Sequence, residues 1–234
     1  MTSGYWFSIL QGTWLSVQVA LGSLVVAIAL GLLGASAKLS PQPLWRWLGV
    51  SYSTLIRGVP DLVLMLLIFY GGQIGLNATL EAMGSDLYID INPFIAGVLT
   101  IGFIYGAYMT ETFRGAILAI PKGQAEAGLA FGMSPARVFF TITLPQMVRL
   151  ALPGFTNNWL VLLKSTALVS LLGLQDLTYL AKQAGAAARG TVPNAPLLFM
   201  AVAAALYLAL STVSLIALRQ VEKRYSLGVK RGNV

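Results

Sequence analysis

The sequence predicts an all-α integral membrane protein with five transmembrane helices, forming a single domain over residues 1–234. Three observations carry that prediction. Apolar residues make up 57% of the 234 and charged residues only 10%, against about a quarter charged in a soluble domain of this size. Five apolar stretches, roughly 10–37, 56–77, 93–115, 152–174 and 195–218, are long enough to cross about 30 Å of hydrocarbon as helices. Twelve of the 15 lysines and arginines fall in alternate connections between those stretches, and therefore on one face.

The same composition excludes several chemistries. With no cysteine and no histidine, a disulfide framework and thiolate, zinc or haem sites are not expected, so no metal ligands are assigned. The net charge of +7 is scattered over short loops rather than massed on one patch, so topology accounts for it better than nucleic acid does. No basic residue precedes the first apolar run, and a cleaved signal peptide is not expected. No repeat of 20–50 residues is visible.

Each element has a local reason. The first span carries Gly22, Gly31 and Gly34 among Leu, Val and Ala, a composition suited to close helix packing. Ser40-Pro41-Gln42-Pro43 then reads as a turn, with Trp45 and Trp47 as interfacial anchors. The connection 84–92 is short and acidic. The connection 172–196 is the longest on that face, with Asp176, Lys182 and a small-residue run at 184–190, and reads as a partial helix followed by a loop. On the other face lie Lys38, Arg46 and Arg57, then Arg114, Lys122, Arg137 and Arg149, then Arg219, Lys223, Arg224, Lys230 and Arg231. The excess of positive charge puts this second face in the cytoplasm, with the N-terminus outside and the C-terminus inside.

Between the third and fourth spans lies a turn-rich cytoplasmic insert. Gly132 follows Gly128 by four residues, and Ser134-Pro135 reads as an N-cap and first helical position. Val138, Phe139, Ile142 and Met147 recur at helical spacing, and Pro145 is expected to end the second arm. The residues alone predict a helix, a glycine-proline bend and a second short helix. An interfacial helix without a partner fits them equally.

Three ionisable residues fall inside spans, where charge is costly and marks a candidate functional site: Asp61, Glu111 and Lys164. Asp61 and Glu111 sit at similar depth in the cytoplasmic half, and Lys164 lies about midway along the fourth span. Local bridges from Arg57 to Asp61 and from Glu111 to Arg114 would also account for the two acids, although Pro60 disfavours helical geometry just before Asp61.

The insert resembles the EAA loop of permease subunits of ATP-binding-cassette importers, E-A-A-x(3)-G-x(9)-I-x-L-P. Glu126, Ala127, Gly132, Ile142, Leu144 and Pro145 stand at that spacing. Gly128 replaces the second alanine and is expected to loosen the first arm by up to about 1 kcal/mol. The resemblance extends over nearly the whole chain. Arg57-Gly58-Val59-Pro60, Tyr105-Gly106-Ala107-Tyr108, Glu111-Thr112-Phe113-Arg114-Gly115-Ala116, Ile120-Pro121-Lys122-Gly123-Gln124, Leu144-Pro145-Gln146, Pro153, Asn157-Asn158 and Leu163-Lys164-Ser165-Thr166 look like the polar amino-acid branch. Asp61, where many members are apolar, and Lys164-Ser165-Thr166-Ala167-Leu168, where many read Lys-Asp-Thr-Ser-Leu, are similar to the histidine and arginine/ornithine permease subunits.

The resemblance implies a type I importer permease fold in a bacterial inner membrane. It implies a coupling loop at 122–145, with Glu126, Ala127, Gly128, Gly132, Ser134, Pro135, Ile142, Leu144 and Pro145 engaging an ATPase. The implied partners are a second, paralogous permease subunit, two ATPase subunits, a solute-binding protein outside, and membrane lipid. This chain has no phosphate-binding G-x-x-x-x-G-K-[ST], so it carries no cofactor and ATP with magnesium is expected on the ATPase. A basic amino acid has two cationic groups and one carboxylate, each needing a partner in a low-dielectric cavity. Asp61 and Glu111 are expected to take the cations, and Asn158, Ser165, Thr166 or Lys164 to donate to the carboxylate. A self-sufficient ion-coupled carrier or channel is the alternative. No recognisable nucleophile–base pair is present, so no catalytic residue is assigned.

Overall fold

The structure, a computed structural model, describes residues 3–226, and over them the chain is helical with no strand. Lys230 and Arg231 lie outside the described residues. The helices are α1 (Ser3–Leu39), α2 (Pro43–Gly58), α3 (Asp61–Ala82), α4 (Pro93–Leu118), α5 (Lys122–Ala130), α6 (Pro135–Val138), α7 (Leu144–Ser165), α8 (Leu177–Ala187) and α9 (Ala195–Ser226). A π-helical turn, Phe139–Thr143, joins α6 to α7, and a 3₁₀ helix, Thr166–Leu172, follows α7. Among the described residues, five stretches are long and apolar enough to cross a membrane: α1, α3, α4, the continuous run from α6 through the 3₁₀ helix, and α9.

The bundle is built around α4. Most of its length is buried, whereas almost none of α9 and little of α3 is, which leaves those two with broad apolar faces for lipid or another subunit. The closest approach is between α4 and α1, along a stripe of small residues on α1: Ala20, Ser23, Ala27, Gly31 and Ala35, all buried. A Cβ on Gly31 would stand 2.6 Å from Met109 Cβ, and one on Gly102 would stand 2.5 Å from Val26 Cβ. Without side chains at these two positions the backbones can meet, and dispersion contacts replace the hydrophobic force that lipid does not supply.

Two segments differ from the sequence expectation. The chain turns at 40–42 as expected, but the anchors after it belong to α2, a 16-residue helix starting on Pro43, with Trp45 and Trp47 exposed and Gly49 and Ser53 turned inward. Pro145 does not end the second arm of the insert; it sits in the first turn of α7. The preceding π turn, in which Leu144 N bonds Phe139 O, keeps the helix continuous through the proline.

A second, smaller core closes the end of the bundle remote from α5. Ile9 of α1, Leu177, Ala181 and Ala184 of α8, and Phe199 and Ala203 of α9 pack together there. Asp176 caps α8, accepting from Tyr179 N at 2.9 Å, while Ser16 Oγ accepts from Leu177 N at 3.2 Å. The Asp176 carboxylate is buried and its Oδ2 has no hydrogen-bond partner. Burial pushes its carboxyl up from 3.8 to about 6.

Candidate functional site

Val59 and Pro60 are extended, with ψ of 141° and 135°, and separate α2 from α3. That break puts Asp61 in the first turn of α3, where the helix dipole favours a carboxylate. Two tyrosines of α4, three residues apart and hence on one face, reach it. Tyr105 Oη donates to Asp61 Oδ2 at 3.0 Å, and Tyr108 Oη donates to Asp61 Oδ1 at 3.4 Å. Their rings stack, with centroids 5.5 Å apart. Tyr105 Oη also lies 2.6 Å from Ser165 Oγ, at the point where α7 gives way to 3₁₀ geometry. Since the Tyr105 proton points at Asp61, Ser165 shares its own proton between Tyr105 Oη and the Val161 carbonyl, 3.1 Å away.

This arrangement brings Asp61 and Ser165 together through Tyr105. Lys164, next in the chain, is exposed. The other sequence candidates have partners elsewhere. Glu111 Oε1 pairs with Lys38 Nζ, and its Oε2 accepts from Arg114 Nε at 3.3 Å. Lys38 Nζ also donates to Ser53 Oγ at 2.8 Å, so this ion cluster ties the ends of α1, α2 and α4. Arg57 Nη1 is 4.0 Å from Glu111 Oε1, and its guanidinium carbon lies 5.6 Å from the centre of the Tyr108 ring. Asn158 is buried and donates to Thr112 Oγ1 at 3.0 Å; Thr166 is buried and donates to the Leu163 carbonyl at 2.8 Å.

Sequence reasoning named Asp61 and Ser165, which the structure brings together through Tyr105, but gave no site role to Tyr105 or Tyr108 and read Lys38 only as a charge at the cytoplasmic face. A signal was present for two of them. Tyr105, Tyr108 and Glu111 follow one another at three-residue spacing, which puts polar groups along one face of an otherwise apolar span.

The insert forms a cap-and-bend elbow. α5 ends in a Schellman motif: Met133 N bonds Gly128 O at 3.1 Å, Gly132 N bonds Leu129 O at 2.9 Å, and Gly132 has φ of +80°. Ser134 then caps α6, accepting from Arg137 N at 3.3 Å. Gly128 is buried against the second arm, where an added Cβ would come within 2.8 Å of Ile142 Cδ1 and 3.0 Å of Val138 Cγ2. The glycine therefore lets the two arms close, in addition to lowering helix propensity. Gln146 Nε2 of α7 donates to Gln124 Oε1 of α5 at 2.5 Å. Glu126, Ala127 and Pro135 are exposed, as are Leu129 and Phe131, the latter almost completely; Ile142 and Leu144 are half-buried and Pro145 is exposed.

Comparison with known proteins gives concordant results. Residues 27–227 match the family described as binding-protein-dependent transport system inner membrane component. The chain is 52% identical over 234 residues, 100% of both chains, to the histidine/lysine/arginine/ornithine transport system permease protein HisQ of Escherichia coli (strain K12). It is 35% identical over 233 residues, 93% of this chain and 94% of the relative, to the arginine ABC transporter permease protein ArtQ of the same organism. Among solved structures, the crystal structure of an amino acid ABC transporter with histidines matches with a TM-score of 0.76 and 28% identity, over 95% of this chain and 96% of that one.

Proposed function

This chain belongs to the family of inner membrane components of binding-protein-dependent transport systems, and from that premise we propose that it imports cationic L-amino acids. It is a permease subunit of an ABC importer with the type I fold. One observation carries the substrate reading: Asp61, a carboxylate in a membrane span, is held by tyrosine hydroxyls and has no cationic partner within 4.0 Å among the described residues. A charge so placed needs a counter-ion, and a lysine, arginine or histidine side chain supplies one. The relatives named for histidine, lysine, arginine and ornithine transport support the same class.

In this reading Asp61 takes the side-chain cation, with Tyr105 and Tyr108 setting its orientation. Ser165 and Lys164, on the neighbouring turn, serve the substrate carboxylate. Asn158 and Thr166 are committed to protein partners, and Glu111 serves as the hub of the ion cluster. The elbow formed by α5 and α6 docks on an ATPase subunit through Leu129 and Phe131, with ATP and magnesium bound there and hydrolysis confined to that subunit. A paralogous second permease subunit covers the exposed faces of α3 and α9, and a solute-binding protein delivers substrate from outside. The α5 end faces the cytoplasm: Lys38, Arg57, Arg114, Lys122, Arg137, Arg149, Arg219, Lys223 and Arg224 lie at the ends of the spans on that side.

The test is uptake of labelled L-arginine into vesicles holding the complete importer, wild type against Asp61→Asn. Uptake should fall about tenfold, as expected for a lost charge pair, with assembly of the ATPase retained. Unchanged uptake removes Asp61 from the site. Uptake by the chain without any ATPase would restore the carrier reading.

A further inference from the structure

Glu111 is surrounded by more positive charge than it can pair. Its two oxygens are taken by Lys38 and Arg114, and Arg57 is left at 4.0 Å, beyond hydrogen-bond reach. Arg57 is nearly half exposed and is the least firmly held of the three cations. Its guanidinium rests instead over Tyr108, the ring whose hydroxyl donates to Asp61. A cationic group thus already occupies the aromatic wall of the site that a cationic substrate is to use.

We infer that Arg57 is a resident competitor: its guanidinium holds the Tyr108 face beside Asp61 until a substrate cation displaces it. This rests on the reading of Asp61 as the substrate carboxylate. Arg57 on the Tyr108 face and a substrate cation on the carboxylate that the Tyr108 hydroxyl bonds carry the same sign and repel, so Arg57 lowers affinity for basic amino acids and favours their release. Displaced, it has Glu111 within reach.

Equilibrium binding of labelled L-arginine to the purified permease–ATPase assembly in lipid nanodiscs, without binding protein, tests this. Arg57→Gln should tighten binding about two- to fivefold, the equivalent of one exposed cation–π contact. Arg57→Met, a second neutral variant, should do the same, and Arg57→Lys, which keeps the charge, should stay near wild type. A damaged fold weakens binding, so a gain in affinity separates this role from a structural one. Unchanged or weaker binding in both neutral variants overturns the proposal. Asp61→Asn is measured alongside. If it loses arginine while the Arg57 variants gain nothing, only the competitor role fails; if it binds as wild type does, the Asp61 reading fails and takes this inference with it.

Discussion

The hydroxyl of Tyr105, midway along α4, donates to Asp61 Oδ2 at 3.0 Å, joining the most buried span to the first turn of α3. Tyr108 makes a longer bond to the other oxygen, 3.4 Å. Tyr105→Phe removes the shorter bond and the contact to Ser165 while keeping the ring. A hydrogen bond to a charged group is worth about 1.5–3 kcal/mol, so arginine binding to the purified assembly should weaken by about tenfold or more. Tyr108→Phe should cost less, about two- to threefold. Equal effects of the two variants would contradict the ranking by geometry.

The ion cluster gives a second asymmetry. Glu111 is the one carboxylate among three cations, so Glu111→Gln leaves Lys38 and Arg114 facing a neutral amide in a half-buried setting. A loss of about 2–3 kcal/mol is expected. Lys38→Met removes one cation and leaves Glu111 with Arg114 and Arg57, for a loss of about 1 kcal/mol or less. Thermal unfolding of the detergent-solubilised protein should rank Glu111→Gln well below Lys38→Met.

At the elbow, Gly132 has φ of +80°. Alanine there is strained by about 1 kcal/mol or more and should shift the angle between α5 and α6. ATP hydrolysis by the importer should continue while uptake per ATP falls. Unaltered coupling in Gly132→Ala would separate this bend from the power stroke.

Asp176 makes stability depend on pH. Its carboxyl binds a proton more tightly when folded, at about 6 against 3.8. That contribution is therefore fully present below about pH 3.8 and is lost as pH rises through about 6. A shift of this size corresponds to about 3 kcal/mol. Asp176→Asn keeps an N-cap oxygen without the charge, so it should stabilise the protein above pH 6 and change little near pH 4. Melting curves across that range, wild type against Asp176→Asn, read this directly.

How much of this was legible in the sequence depends on whether the signal was local. The five spans and the Ser134-Pro135 cap were, since apolar runs and capping residues act within a turn or two. Asp61 stood out because a lone acid in an apolar helix has a recognisable cost. The commitment of Glu111 to Lys38, 73 residues away, was not legible; it depends on how α1 and α4 cross. Pro145 misled because a proline read alone signals a stop, whereas here the wider turn before it absorbs the missing donor. α2 was hidden by the two prolines at its start, Pro41 just before it and Pro43 at its first position, and by aromatic residues that suit an interface whether or not they are helical.

α4 carries both tyrosines, and only Ala119, Ile120 and Pro121 separate it from the elbow. Asp61 belongs to a different rod, α3. If Asp61 holds the substrate cation as proposed, the grip is shared like the jaws of a pair of tongs, one jaw fixed to the shaft that leads to the elbow. In the proposed reading, a slide of that shaft along α3 would draw the hydroxyls off the carboxylate and loosen the hold on a bound cation.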